Sequence, residues 1–344
     1  MPAFVPGAVL NRGFYADVVS PIIAAWDHSA ALIGWGSQVL GYDTERSTDH
    51  GWGPRVKVFV ATDDEIAPAQ AAIDDGLPGD YEGWPVAYAL DLEPPTAHVR
   101  VSTPARWFRA HLAFDPRRPI ATDDWLTTPQ ELLLELTSAA VYHDGLDALR
   151  NAQAAVSYFP DDVRNWMLAC QWRRLSQEEP FVGRTAEVSD EVGSRLLAAR
   201  QVHLLMQLHF LYAGVYWPYS KWFGTAYARL PGSEVMLPSF RAATEATTFA
   251  AREDALVVAW EALAAMHNSS GLPPVENPNV RNFYNRPFRV LDSERFVRAC
   301  LEAVPDEALR GRPLFGSIDQ ISDSTDVKSS AAVAHRLRAI YEQT

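Results

Sequence analysis

Three groups of side chains have the types and spacing to do chemistry. The first lies in Ala31 to Val60, ALIGWGSQVLGYDTERSTDHGWGPRVKVFV. An apolar strand, Ala31-Leu32-Ile33, breaks at Gly34-Trp35-Gly36-Ser37, and a second strand follows with Val56, Val58 and Val60 alternating. Asp49, with His50 and Gly51, stands at the mouth of that second strand. Strand side chains alternate between faces, so Arg55 and Lys57 point away from the valines, toward solvent or a phosphate. The second group is Glu178, Glu179, Arg184, Glu187, Asp190 and Glu191, an acid–arginine run across a helix break at residues 180–183. Glu187 and Asp190 are three apart and share a helix face. The third group is Lys221, flanked by aromatics in Tyr219-Ser220-Lys221-Trp222, with the acid cluster Asp319, Asp323 and Asp326 farther on. In a reaction run without metals, Asp49, Glu187 and Asp190 would be the general acid–base groups, and Arg100 or Lys221 would stabilise charge.

Each group also has a purely structural reading. Acids at a helix start complement the helix dipole. Lys221 is either an anion-binding residue or an ordinary surface lysine. Asp323 and Asp326 either close a substrate cleft or cap a helix. Asp91 and Glu93, one residue apart near a possible strand, are either a second carboxylate pair or an exposed loop before Pro94-Pro95. His203 and His209 fall on an apolar helix and read as packed, and His50 reads as structural.

The elements that must position these residues change character along the chain. Val9, Leu10, Phe14, Val18, Val19, Ile22, Ile23 and Trp26 recur at helical spacing over residues 8–28. Strand 55–61 leads to Thr62-Asp63-Asp64, a helix-start signature. Residues 97–103 read as a further strand, and Thr103-Pro104 opens a helix. From Thr128-Pro129 onward nearly everything reads as helix, over 160–178, 187–212, 239–266, 293–303 and 329–341. Residues 1–122 therefore form a small α/β domain and residues 123–344 a helical domain.

Composition excludes some functions. Net charge is −13 and only three of the 30 basic residues are lysines. That balance argues against gripping nucleic acid, which needs clustered cations. Cys170 and Cys300 have no metal or redox spacing and read as buried thiols. No stretch has the length of a membrane span, and the first residues are not a signal peptide, so a cytoplasmic location is expected.

The stretch GSQVLGYDTERSTDHGWGPRVKVFV resembles the opening of a family of uncharacterised bacterial nucleotidyltransferase-like proteins. The resemblance continues through CQWRRLSQEEPFVGR, SDEVGSRLLAAR, YSKWFGTAYARL and DQISDSTDV. It implies an α+β fold, with a mixed-sheet nucleotidyltransferase-like domain followed by a mostly α-helical domain, similar to kanamycin nucleotidyltransferase. In that superfamily the Gly-Ser turn holds phosphate oxygens. Two acids one residue apart, with a third on a later strand, ligate Mg²⁺ for nucleotidyl transfer. Carried over, Gly36 and Ser37 form the turn and Asp49 is the first acid. Gly51 stands where the second acid belongs, and Arg100 where the third does. The resemblance also implies a helical-domain carboxylate as base, matched by Glu187 or Asp190, and a triphosphate-binding lysine, matched by Lys221.

These readings lead to one expectation and two alternatives. The expectation is a repurposed nucleotidyltransferase fold that binds or converts a small molecule in an interdomain cleft, with no cofactor and no metal. The first alternative is an active transferase using ATP and Mg²⁺ on a small-molecule hydroxyl. The second is a non-catalytic binding or regulatory protein.

Overall fold

The computed structural model describes residues 2–90 and 94–341. The chain is α+β, with a mixed sheet and a helical C-terminal half. It divides into two compact units: residues 1–157 with 324–337, and residues 158–323 with 338–344.

The first unit opens with α1 (Gly7–Phe14), a wider helical turn at Tyr15–Val19 and α2 (Ser20–Ile22). Then come β1 (His28–Leu32), α3 (Ser37–Leu40), β2 (Arg55–Val60) and α4 (Ile66–Gly76). Short strands β3 (Asp80–Tyr81), β4 (Trp84–Pro85) and β5 (Ala87–Tyr88) precede β6 (Thr96–Ser102). Helices α5 (Pro104–Leu112), α6 (Thr122–Thr127) and α7 (Gln130–Thr137) lead to β7 (Ala140–Asp144) and α8 (Leu149–Ala155). The main sheet has the order β5-β6-β2-β1-β7. β1 is antiparallel to both β2 and β7, whereas β2 and β6 run parallel.

The alternation in RVKVFV decides what each sheet face does. Val56 and Val58 join Ala30, Val99, Phe14, Val19 and Ile23 in a core under the first helices. Arg55, Lys57 and Phe59 therefore take the other face, where Phe59 meets Trp107 of α5 edge to face. Thr62 starts the next helical turn, as its sequence suggests, with its backbone N–H donating to Glu65 Oε2 at 2.9 Å.

The first unit extends well past residue 122, where the sequence places its end. β7 completes the sheet edge beside β1, and Ser29 Oγ donates to Asp144 Oδ1 at 2.7 Å. Asp144 also accepts the backbone N–H groups of Ala148, Leu149 and Arg150 at the start of α8. The strand's short, weakly apolar AVYHD gives little signal against the surrounding helices.

The second unit contains α9 (Asp161–Glu178), α10 (Phe181–Glu187), α11 (Glu191–Ala213), α12 (Ser220–Tyr227), α13 (Ser233–Glu245) and α14 (Phe249–Ser269). A hairpin, β8 (Arg281–Asn282) with β9 (Arg289–Val290), precedes α15 (Glu294–Glu302), α16 (Glu307–Arg310) and α17 (Ile318–Ile321). Trp166, Trp172 and Trp260 are among its largest fully buried side chains. Cys170 and Cys300 are free and buried, as expected. The helix read over 239–266 is two helices, because Thr248 caps a new start by accepting from Ala251 N. The chain then returns to the first unit with α18 (Thr325–Lys328) and α19 (Ala331–Ala334). Among the described residues, no helix is long and apolar enough to cross a membrane.

Candidate functional site

The residues flanking the Gly-Ser turn form the most unusual environment in the first unit. Gly34 and Gly36 have φ of +94° and +109°, in the region open mainly to glycine. Between them Trp35 lies half exposed, its ring 4.7 Å from the Arg55 guanidinium carbon. Arg55 Nη2 donates to Trp35 O at 2.7 Å, and a Cβ at Gly36 would sit 3.7 Å from that same nitrogen. The turn is therefore seated on a buried cation. Arg55 is only 8% exposed, and among the described residues its Nε has no acceptor.

The parallel register of β2 and β6 places Lys57 beside Arg100 on the same face as Arg55. Lys57 is largely buried and its pKa is lowered to about 8, first by burial and then by Arg100 and Arg55. Among the described residues, none forms an ion pair with Lys57 or Arg100. The sequence leaves Arg55 and Lys57 facing solvent or a phosphate, and the structure buries Arg55. Helices α5 and α7, which come much later in the chain, reach this face: Trp107 of α5 meets Phe59, and Glu135 of α7 acts electrostatically on Arg55.

Beneath the cations lie two groups that sequence reasoning did not single out. Glu135 of α7 is 4% exposed, and burial, then Glu131, pushes its pKa up to about 8 against the pull of Arg55. His111 of α5 stacks on Trp107, and its Nε2 donates to Leu132 O at 3.1 Å. Burial lowers its pKa to about 4. At neutral pH the imidazole is neutral and the carboxyl keeps its proton, so their 3.4 Å approach is not an ion pair. Glu135 binds a proton in the fold between about pH 4.5 and 8 that the unfolded chain gives up. Its burial therefore lowers stability as pH rises through that window. Glu135→Gln is expected to gain about 2–3 kcal/mol on wild type between pH 5.5 and 8. Urea midpoints at the two pH values give the test, and equal pH slopes would count against a buried neutral acid.

Asp49 ends a tight turn at Glu45–Asp49, ahead of β2 rather than on it. Its Oδ1 accepts from His50 Nδ1 at 2.8 Å, and both side chains are more than half exposed. His50 is thus a surface partner of Asp49 and not the inward structural residue expected. Asp49, Glu45, Arg46 and Thr48, with Phe4 and Trp84, line an open cavity of about 590 Å³. Gly51 turns with φ +63°, facing Trp35 and Leu90. The nearby Asp43 is structural: its Oδ2 accepts Gly7 N at 2.7 Å and Trp52 Nε1 at 3.0 Å. Asp91 and Glu93 lie outside the described residues.

These residues do not fit a divalent metal pair. At the positions where the resemblance expects three acids, Asp49 carries a carboxylate and Gly51 offers no side-chain donor. Arg100 adds a cation beside Lys57. Among the described residues, no three or more His, Cys, Asp or Glu side chains gather where an ion could sit.

The candidates in the second unit have local work. Glu187 closes α10 and pairs with Arg286 at 2.8 Å. Asp190 caps α11, its Oδ1 accepting Gly193 N at 2.8 Å. They stand on opposite sides of a helix break at 188–190, so the expected shared face does not form. Lys221 is exposed in the first turn of α12, its Nζ 5.0 Å from the Trp222 ring centre. Asp323 is exposed near Arg174, whose positive charge it favours. Asp326 lies exposed in the first turn of α18, in the other unit. The structure therefore sets Gly36, at the start of the Gly-Ser turn, against Arg55 and places Arg100 on the same sheet, while Asp49 lines a cavity with Phe4 and Trp84. Glu187, Asp190, Lys221 and Asp323 belong to the second unit.

A family model described as "Domain of unknown function (DUF4037)" matches residues 125–223. The match runs from α6 into α12 and includes Glu135, Glu187, Asp190 and Lys221, but not the Gly-Ser turn, Asp49 or Arg100. No curated protein and no solved structure matches the chain.

Proposed function

We propose that the chain is a nucleotidyltransferase-fold protein in which fixed cations have taken over from the metal pair. It binds an anionic small molecule, chemically a phosphate ester or nucleotide, on the sheet face of the first unit. The observation that carries this reading is the row of Arg55, Lys57 and Arg100 set by strand alternation and the β2–β6 register. Burial first, then repulsion by Arg100 and Arg55, lowers the Lys57 pKa, and an anion would relieve that repulsion. Arginine suits the task because its planar guanidinium binds phosphate oxygens in pairs. The open space beside Gly34 leaves room for a ligand at the turn. Proton transfer at this site would fall to Asp49 with His50.

Titration calorimetry with ATP and with inorganic tripolyphosphate, each in EDTA and in Mg²⁺, tests the reading. Micromolar affinity that a chelator leaves unchanged is expected, and Arg100→Ala should weaken it about tenfold, as loss of one charge-assisted contact does. Nucleotide binding that requires Mg²⁺ would overturn it in favour of a transferase that uses ATP and the metal.

A further inference from the structure

The second unit holds a cavity of about 560 Å³ that the reading above does not use. One wall is the last part of α9, with Arg173, Ser176 and Gln177 on one face. The opposite wall is the β8–β9 hairpin, which contributes Arg281, Phe283 and Tyr284. The floor is Glu179, 5% exposed, whose carboxylate accepts Leu291 N and Ser293 N, each at 3.0 Å, and Ser293 Oγ at 3.1 Å. Those three donors fasten the link between hairpin and α15, so the cavity is preformed.

Charges of both signs meet around the cavity, and Asp292 also faces Arg295 at 3.6 Å. Arg173 Nη1 meets Glu294 Oε2 at 2.6 Å, and Arg281 Nη2 meets Asp292 Oδ2 at 3.0 Å. Both pairs remain a third to a half exposed, so each holds only weakly and can exchange partners. A ligand of one charge sign would gain one half of each pair and be repelled by the other. A zwitterion gains both halves. Aromatic surface completes the site. Tyr284 is 86% exposed with φ +51°, an outlier for a bulky residue, and its ring lies 4.8 Å from that of Phe283, edge to face. Phe283 is backed by Phe288 at 5.6 Å in a stacked arrangement. An apolar ring fits against this pair.

We infer that this cavity binds a zwitterion bearing an apolar ring, an aromatic α-amino acid in chemical class. Its carboxylate would be taken by Arg173 and Arg281, its ammonium by Asp292 and Glu294, and its ring by Phe283 and Tyr284. The site lies wholly within the second unit and stands or falls apart from the anion site.

Ligand-observed NMR and calorimetry on the full chain, with four probes, test it. The probes are L-phenylalanine, phenethylamine, 3-phenylpropionate and L-alanine. Saturable binding of L-phenylalanine with Kd below about 1 mM is expected. Each of the other three should bind at least about tenfold more weakly, since each lacks one charge or the ring. Arg281→Gln should weaken L-phenylalanine about tenfold while leaving phenethylamine unchanged, and Tyr284→Ala should weaken both ring-bearing ligands. Because Arg281 and Tyr284 are exposed, neither variant endangers folding. Absence of saturable L-phenylalanine binding would overturn the inference. So would equal affinity for the amine or the acid alone, or an unchanged Arg281→Gln.

Discussion

Replacing Asn11 with leucine is expected to cost the fold about 3–5 kcal/mol and to loosen the turn that seats Arg55. Asn11 is fully buried in α1. Its side-chain nitrogen donates to Gly7 O at 2.8 Å and, at 3.4 Å each, to Gln38 Oε1 and Gly53 O. Its oxygen accepts the backbone N–H of Arg55 at the first residue of β2. One amide thereby ties the first helix to α3, to the loop after Asp49 and to the strand carrying the cations. Leucine has nearly the same volume, so little of the loss would come from packing. It would come from leaving the Arg55 N–H and the Gly53 carbonyl buried without partners, at about 1–3 kcal/mol each. Urea denaturation of Asn11→Leu and Asn11→Asp gives the measurement. Aspartate keeps the acceptor for Arg55 but turns a buried carboxylate oxygen toward three oxygen acceptors, so it should lose at least as much. A loss below about 1 kcal/mol for leucine would show that the network carries little.

Anion affinity at the sheet face should depend steeply on pH. Lys57 titrates near pH 8 in the free protein because burial and two neighbouring guanidiniums disfavour its charge. A bound anion favours the charged form, so binding takes up a proton once the free lysine has lost one. Affinity should then be flat below pH 8 and fall by up to tenfold per pH unit above it. Lys57→Met should bind at least about tenfold more weakly at pH 7 and show no such fall, the full cost of a buried cation that contacts phosphate. Lys57→Arg keeps its charge throughout and should flatten the profile while retaining affinity. Calorimetry with tripolyphosphate at pH 7, 8 and 9 separates the three proteins. A wild-type profile level to pH 9 would place the anion elsewhere.

Local signals in the sequence located much of this architecture. The alternation of RVKVFV, the cap at Thr62 and the Thr128-Pro129 opening are short-range features, and strand and helices appear where those features predict them. What was hidden is long-range. Nothing within 55–60 shows that Trp107 of α5 will meet Phe59 or that Glu135 of α7 will act on Arg55, because those helices lie some 50 to 80 residues later. Glu135 looks like one more acid in QELLLELT, and only its packing under the sheet makes it a neutral carboxyl. The sequence sets Asp49 at a strand mouth, whereas the chain spends residues 50–54 turning before β2 begins. Glu187 and Asp190 failed as a pair for a local reason: three residues separate them only if the helix is continuous, and at 188–190 it is not.

The return of residues 324–337 to the first unit bears on how the protein is made. Ala331 and Ala334 are buried in α19, which packs on α5, and Thr128 Oγ1 meets His335 Nε2 at 3.1 Å. A ribosome reading from the N-terminus delivers β1 through α8 first, but this covering arrives only after the whole stretch 158–323 has emerged. The earlier-synthesised unit thus stays incomplete until residues 324–337 emerge, and through most of translation the helix bearing Trp107 and His111 waits for a cover encoded some two hundred residues downstream.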